Sequence, residues 1–162
     1  MKKIIIHWTA GFGMPTAHEL ECYHYLIDTL GKLHQGKFKP EDNLNCEDNK
    51  YAHHTGGGNT GSIGVSMCGM VGFQSSSHIG SCPITKVQFE ACMKLCAELA
   101  KKYDIKITPD TIMTHYEFGQ KHPDTTSYGK IDIIFIPPYS WLSKDDCGSF
   151  IRSKIGWYQE NS

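Results

Sequence analysis

Residues 4–11 read Ile-Ile-Ile-His-Trp-Thr-Ala-Gly, and the reading of this stretch decides the fold. Ile4 to His7 is too uniformly apolar for a half-exposed strand and predicts one buried on both faces at the centre of a sheet. Two lysines precede it, but three isoleucines before His7 are too few for the apolar core of a secretion signal, which needs about 7 residues. Thr9 to His18, with Gly11, Gly13 and Pro15, reads as a loop. Cys22 to Asp28 reads as a second strand, turned by Leu30-Gly31-Lys32 into a short partner around Leu33 and His34. Gly36 to Lys50 is polar and predicts surface loop. Ser62 to Gly69 reads as a buried strand in which Ile63, Val65 and Met67 alternate with smaller residues.

Thr85 to Tyr103 carries the strongest helical pattern. Thr85 and Gln88 form a capping box, and Cys92, Leu95, Cys96, Leu99 and Tyr103 recur on one face. Ile112 to His115 reads as another short strand, residues 116–129 as polar turns, and Ile131 to Ile136 as an apolar segment stopped by Pro137-Pro138. Asp145 to Tyr158 closes the chain as a helix. Strands mixed with one long and one closing helix predict a single α/β domain over residues 1–162.

Composition narrows the function. A net charge of -1 offers no broad basic field for nucleic acid or an anionic membrane. No apolar run approaches the roughly 18 residues of a membrane span. The seven cysteines include no close CxxC pair, which predicts mostly reduced, buried thiols and synthesis in a reducing compartment. Gly56 to Gly61 is glycine-rich but lacks both the GK[ST] ending of a phosphate loop and a GxGxxG fingerprint.

Three residues break the apolar pattern where strands run into turns: His7, His115 and Asp132. A lone buried imidazole is usually a hydrogen-bonded core residue, and a carboxylate inside Ile131-Asp132-Ile133-Ile134 is costly unless a cation or donors meet it. Taken together, two imidazoles and a carboxylate fill three positions of a tetrahedral zinc site and leave the fourth for water. No HExxH-like spacing links them.

The segments 4–11 (IIIHWTAG), 22–28 (CYHYLID), 53–69 (HHTGGGNTGSIGVSMCG) and 114–119 (THYEFG), the last followed by 129–132 (GKID), resemble in this order the zinc-dependent N-acetylmuramoyl-L-alanine amidases of the phage lysozyme and peptidoglycan-recognition type. The resemblance implies a central mixed β-sheet flanked by helices, with an open groove holding zinc. It implies His7, His115 and Asp132 as ligands, Lys130 as the catalytic lysine, and Tyr23 as the tyrosine near the metal. His54 falls near the groove rim. Trp8, His24 and Tyr128 are further groove candidates, with Trp8 or Tyr128 expected to be exposed. Some amidases of this superfamily carry a glutamate in the strand after the SIG motif, where this chain has Ser66, Met67 and Cys68. The interval from His115 to Asp132 is long, and His122 is a rival second ligand. The implied activity is hydrolysis of the amide between N-acetylmuramic acid and L-alanine in peptidoglycan or muropeptides, in the manner of a phage endolysin or a wall-recycling enzyme. No protein partner is indicated. The alternative is a non-catalytic peptidoglycan-binding protein, against which the intact Asp132 argues.

Overall fold

A computed structural model describes residues 1–162. Five strands form one sheet in the order β3-β2-β4-β1-β5. They are β1 (Lys3–Trp8), β2 (Tyr25–Ile27), β3 (Leu33–Gln35), β4 (Ser62–Met67) and β5 (Ile112–Thr114). β1 lies between β4 and β5, parallel to both, with His7 opposite Ser66. β2 runs parallel to β4, and β3 returns antiparallel to β2, so the sheet is mixed. The expected central strand, hairpin and long helix are all present.

Period-two alternation along β1 divides its side chains between two faces. Ile4, Ile6 and Trp8 join Ile63, Val65 and Met67 of β4 in the main core. Over that face lie α2 (Lys86–Lys102), contributing Phe89 and Met93, and α4 (Cys147–Glu160), contributing Ile151 and Ile155. On the other face Ile5 packs with Met113 and Phe118 in a small cluster. His7 follows Ile5 on this second face. The glycine and serine that alternate in β4, Gly64 and Ser66, leave room there. A Cβ on Gly64 would collide with the His54 ring.

Two short helices depart from the sequence reading. The expected loop and second strand contain α1 (Ala17–Cys22), capped by a Thr16–Glu19 box, so β2 begins only at Tyr25. The segment read as polar turns starts with α3 (His115–Lys121), capped by a Thr114–Glu117 box. Helices of six and seven residues are too short to display a periodic apolar stripe. The apolar run 131–136 forms turns rather than a strand, and Pro40–Leu44 makes one 3₁₀ turn in the expected loop. All seven cysteines are unpaired; Cys68, Cys92, Cys96 and Cys147 are buried and the other three half-buried. No helix is long and apolar enough to cross a membrane.

His24 was expected in the groove and lies elsewhere. It is buried between strands, with Nε2 donating to Asn43 Oδ1 at 2.9 Å and Nδ1 accepting from the Gly64 N–H at 2.9 Å. Asn43 donates in turn to the Ala52 and Asn59 carbonyls, which ties the 43–59 loop to the sheet. Burial lowers the His24 pKa to about 4 from 6.5. Between those values the unfolded chain takes up a proton that the folded chain refuses, so stability falls as pH drops through this window. The expected slope from His24 alone is about 1.4 kcal/mol per pH unit. Urea titrations of chelator-treated protein between pH 7 and 4.5 should show this slope removed in His24→Gln relative to wild type; parallel curves would refute it.

Candidate metal centre

His7 has no exposed surface, and its ring is fixed by the sequence around His54. His54 Nε2 lies 3.3 Å from the Ser62 carbonyl, which can only accept, so the proton of this ring sits on Nε2 and Nδ1 is bare. That bare nitrogen faces Thr55 Oγ1 at 2.7 Å and His7 Nε2 at 3.2 Å. His7 Nε2 must therefore carry its own proton, donating to His54 Nδ1 or to Thr55 Oγ1 at 3.3 Å. Burial lowers the His7 pKa to about 4, so the ring is neutral at ordinary pH and its Nδ1 is left as a lone pair.

The same reasoning applies to His115, the first residue of α3. Ser127 Oγ donates to the Gly56 carbonyl at 2.7 Å and so accepts from His115 Nε2 at 2.9 Å. A neutral His115 then also presents a bare Nδ1. The two Nδ1 atoms lie 3.1 Å apart, and Asp132 Oδ2 is 3.3 Å from one and 3.5 Å from the other. Three acceptors thus converge with no hydrogen between them. Four-coordinate bonds of about 2.0–2.2 Å give tetrahedral edges of roughly 3.3–3.6 Å. Two of the observed separations fall within that spacing and the third lies just below it, and a divalent cation would turn three mutually repelling lone pairs into a ligand set.

Asp132 reaches this point from a turn, not from the strand end expected. Its carbonyl accepts from the Tyr116 N–H at 3.3 Å. The next residue, Ile133, has φ 68, a left-handed conformation that β-branched residues avoid. The Ile133 side chain is buried in the main core. Core packing therefore fixes one side of this turn and the carboxylate projects from the other.

An open groove of about 380 Å³ is lined by His115 and Asp132, with Tyr23, His53, His54 and Lys130 among its other walls; His7 lies buried behind them. Tyr23 caps α1, and its ring centre lies 5.2 Å from that of His7. Burial, with Asp132 nearby, pushes its phenol well above the usual range, so it remains a protonated donor. Behind the site, the buried Ser66 Oγ has no hydrogen-bond partner. Trp8 borders the groove but is only 3 % exposed, packed on Phe73, because its β1 position points to the core. Tyr128 is 56 % exposed but lies outside the groove walls. The rival ligand His122 caps α3, with Nδ1 donating to the Phe118 carbonyl at 3.0 Å and its ring stacked on Phe118, away from His7 and Asp132. His53 also lines the groove, its ring centre 3.8 Å from that of Tyr51.

α4 also reaches this site. Arg152 makes a bidentate pair with Glu117 at 2.9 and 3.0 Å and donates to the Ile112 carbonyl at 3.0 Å. Glu117 Oε1 in turn accepts the Thr114 N–H at 3.1 Å, one residue before His115. A Cβ on Gly148 would collide with the Glu117 carboxylate.

A family model described as N-acetylmuramoyl-L-alanine amidase matches residues 1–130, ending two residues short of Asp132. Among solved structures, the chain is similar to the N-acetylmuramyl-L-alanine amidase AmiD from E. coli, in complex with anhydro-N-acetylmuramic acid-L-Ala-D-gamma-Glu-L-Lys. The TM-score is 0.54 at 20 % identity over 82 % of this chain and 52 % of AmiD, so the match spans about half of that protein. It is also similar to the ectodomain complex of peptidoglycan recognition proteins LCa and LCx bound to tracheal cytotoxin, with TM-score 0.50 and 17 % identity over 88 % of this chain and 83 % of that one. LysC, an N-acetylmuramoyl-L-alanine amidase from Clostridium intestinale URNW, gives TM-score 0.48 and 18 % identity over 70 % of this chain and 69 % of that one. At these identities the likeness is one of fold. No curated protein sequence matches the chain.

The protonation pattern is directly testable. Long-range proton–nitrogen NMR spectra of chelator-treated protein at pH 7 should place the ring proton on Nε2 of His7, His54 and His115. A proton on Nδ1 of His7 or His115 would remove the argument for three converging lone pairs.

Proposed function

The chain belongs to the N-acetylmuramoyl-L-alanine amidase family, and we propose that it is a zinc-dependent hydrolase of the amide joining N-acetylmuramic acid to L-alanine in peptidoglycan or its soluble fragments. Residues 1–162 would act as one catalytic domain. The observation that carries this reading is the triangle of bare acceptors formed by His7 Nδ1, His115 Nδ1 and Asp132 Oδ2. Two imidazoles and one carboxylate suit zinc. The two edges to Asp132, 3.3 and 3.5 Å, match a tetrahedral ion with one open position, and the 3.1 Å edge between the imidazoles is shorter.

His7, His115 and Asp132 would hold the ion, with His54, Thr55 and Ser127 keeping both rings in the ligating tautomer. Zinc in such a site supplies Lewis acidity, lowering the pKa of water to about 7 and polarising a carbonyl. Lys130, on the groove wall with Asp132, would stabilise negative charge as it develops on the amide oxygen. Tyr23 keeps its proton, so its role is that of a hydrogen-bond donor orienting the reacting groups, not of a resting base. The neighbour AmiD is solved with an anhydromuramoyl tripeptide, and the groove here would take a ligand of that chemistry. Action on the cell wall would follow from that substrate.

Elemental analysis of purified wild type, His115→Ala and His122→Ala is the deciding experiment. The expected result is one zinc per chain in wild type and His122→Ala, and none in His115→Ala. Wild type should release the peptide from a muropeptide. Lys130→Ala should retain zinc while losing about 10²–10³-fold in kcat. Ser127→Ala should weaken zinc binding by about 10–100-fold. Metal-free protein after zinc exposure would overturn the hydrolase, and retained muropeptide binding would then assign recognition without catalysis.

A further inference from the structure

The glycine-rich turn at residues 56–61 has a second side that the metal groove does not use. A cavity of about 380 Å³ opens there, at the start of β1, with Lys3, Tyr51, Asn59, Thr60 and His122 in its walls. The turn divides it from the groove. Gly58 lies so close to the Phe118 ring, and Gly56 and Gly57 so close to Thr126 and Thr125, that a Cβ on any of them would collide. A ligand in this cavity is therefore separated from His7, His115 and Asp132 by a packed wall.

Its lining is rich in donors and carries no aspartate or glutamate. Lys3 Nζ stands over the Phe118 ring, 5.9 Å from its centre, and neither Lys2 nor Lys3 pairs with a carboxylate. The backbone N–H groups of Gly57, Asn59 and Thr60 have no acceptor within the protein. The Tyr51 and Thr60 hydroxyls and the Asn59 side-chain N–H groups donate to none either. His122 Nδ1 donates to the Phe118 carbonyl, so its Nε2 is without a partner. That inventory decides between anions. A carboxylate offers two oxygens and a phosphate three or four, and main-chain N–H groups on a tight turn with a lysine ammonium beside them suit phosphate. In a GxxxxGK[ST] loop the lysine follows the glycines in sequence. Here the strand beside the turn supplies it: the Lys2 N–H donates to the Gly61 carbonyl at 2.8 Å, and Lys3 pairs in register with Ser62. A lysine so far from the glycines in sequence leaves no motif to read.

We propose that this cavity binds a phosphate group, carried by a phosphate monoester or a phosphodiester, independently of the metal centre. Lys3 offsets the charge, and the N–H groups of the turn with the Tyr51 and Thr60 hydroxyls take the oxygens. The site needs no ion at His7, so it stands whether or not the chain is a hydrolase.

Amide-resolved NMR of the purified protein tests this without turnover. Inorganic phosphate, titrated at constant ionic strength against chloride, should shift the Gly57, Asn59 and Thr60 amide protons downfield together and saturably, with Kd of about 1 mM. Acetate should give no saturable shift at these residues. Lys3→Gln should weaken phosphate binding about tenfold, and Lys3→Arg should restore it. Glycerol 3-phosphate and glycerophosphoglycerol, titrated in the same way, separate the sources: tighter binding of the first assigns a small phosphate ester, and of the second a phosphodiester polymer. Shifts confined to residues around His7, His115 and Asp132 would overturn the site, because the anion would then be at the metal centre. Equal shifts with acetate would overturn it too, as would undiminished binding by a Lys3→Gln protein whose spectrum is otherwise unchanged.

Discussion

A histidine sealed from water at the end of the central strand must have every polar atom matched inside the protein. Much of the site follows from meeting that demand for His7. Its Nε2 proton needs an acceptor, which His54 and Thr55 supply. His54 needs a place to lie, which Gly64 provides by lacking a side chain, and a carbonyl to donate to, which Ser62 provides. What is left over is one lone pair aimed at His115 and Asp132. His115 is served in parallel by Ser127 and Gly56. The glycine-rich segment is thus a hydrogen-bonding scaffold for two imidazoles, and its small residues are a packing requirement.

The sequence made the sheet legible where burial was strongest. Ile4 to His7 and Ser62 to Met67 stand out because parallel strands covered on both sides tolerate little polarity. The long helix stands out because five turns repeat the same stripe. α1 and α3 were not seen, although both begin with threonine followed three residues later by glutamate, the same capping signal recognised at Thr85. The signal was there without the periodicity that normally accompanies it. Among site residues, chain distance concealed what folding made adjacent: His54 proved to be a buried support of His7, and His24 a tie between strands and loop. Trp8 misled because being next to a ligand on a strand means facing the other way.

The closing helix has a reach that its position in the chain does not suggest. Arg152 and Gly148 of α4 bear on Glu117, and Glu117 shapes the first turn of the helix that His115 begins. This half-buried pair is bidentate, which orients the Glu117 carboxylate. Glu117 lies two residues from His115 and accepts the N–H of Thr114, which ties the pair to the ligand's position. The groove is consequently assembled from all parts of the chain: the first strand, the first helix, the middle loop, the fifth strand and, at one remove, the last helix.

Ile133 holds a backbone conformation that costs about 1–3 kcal/mol and persists only because the surrounding core over-determines it. The aim of the neighbouring carboxylate is thereby geared to the tightness of the interior. A chain whose helices have formed but whose core has not set would let this turn relax, and Asp132 would swing away from the two imidazoles. An ion held by the proposed ligand atoms would therefore bind only a molecule whose core has closed around Ile133.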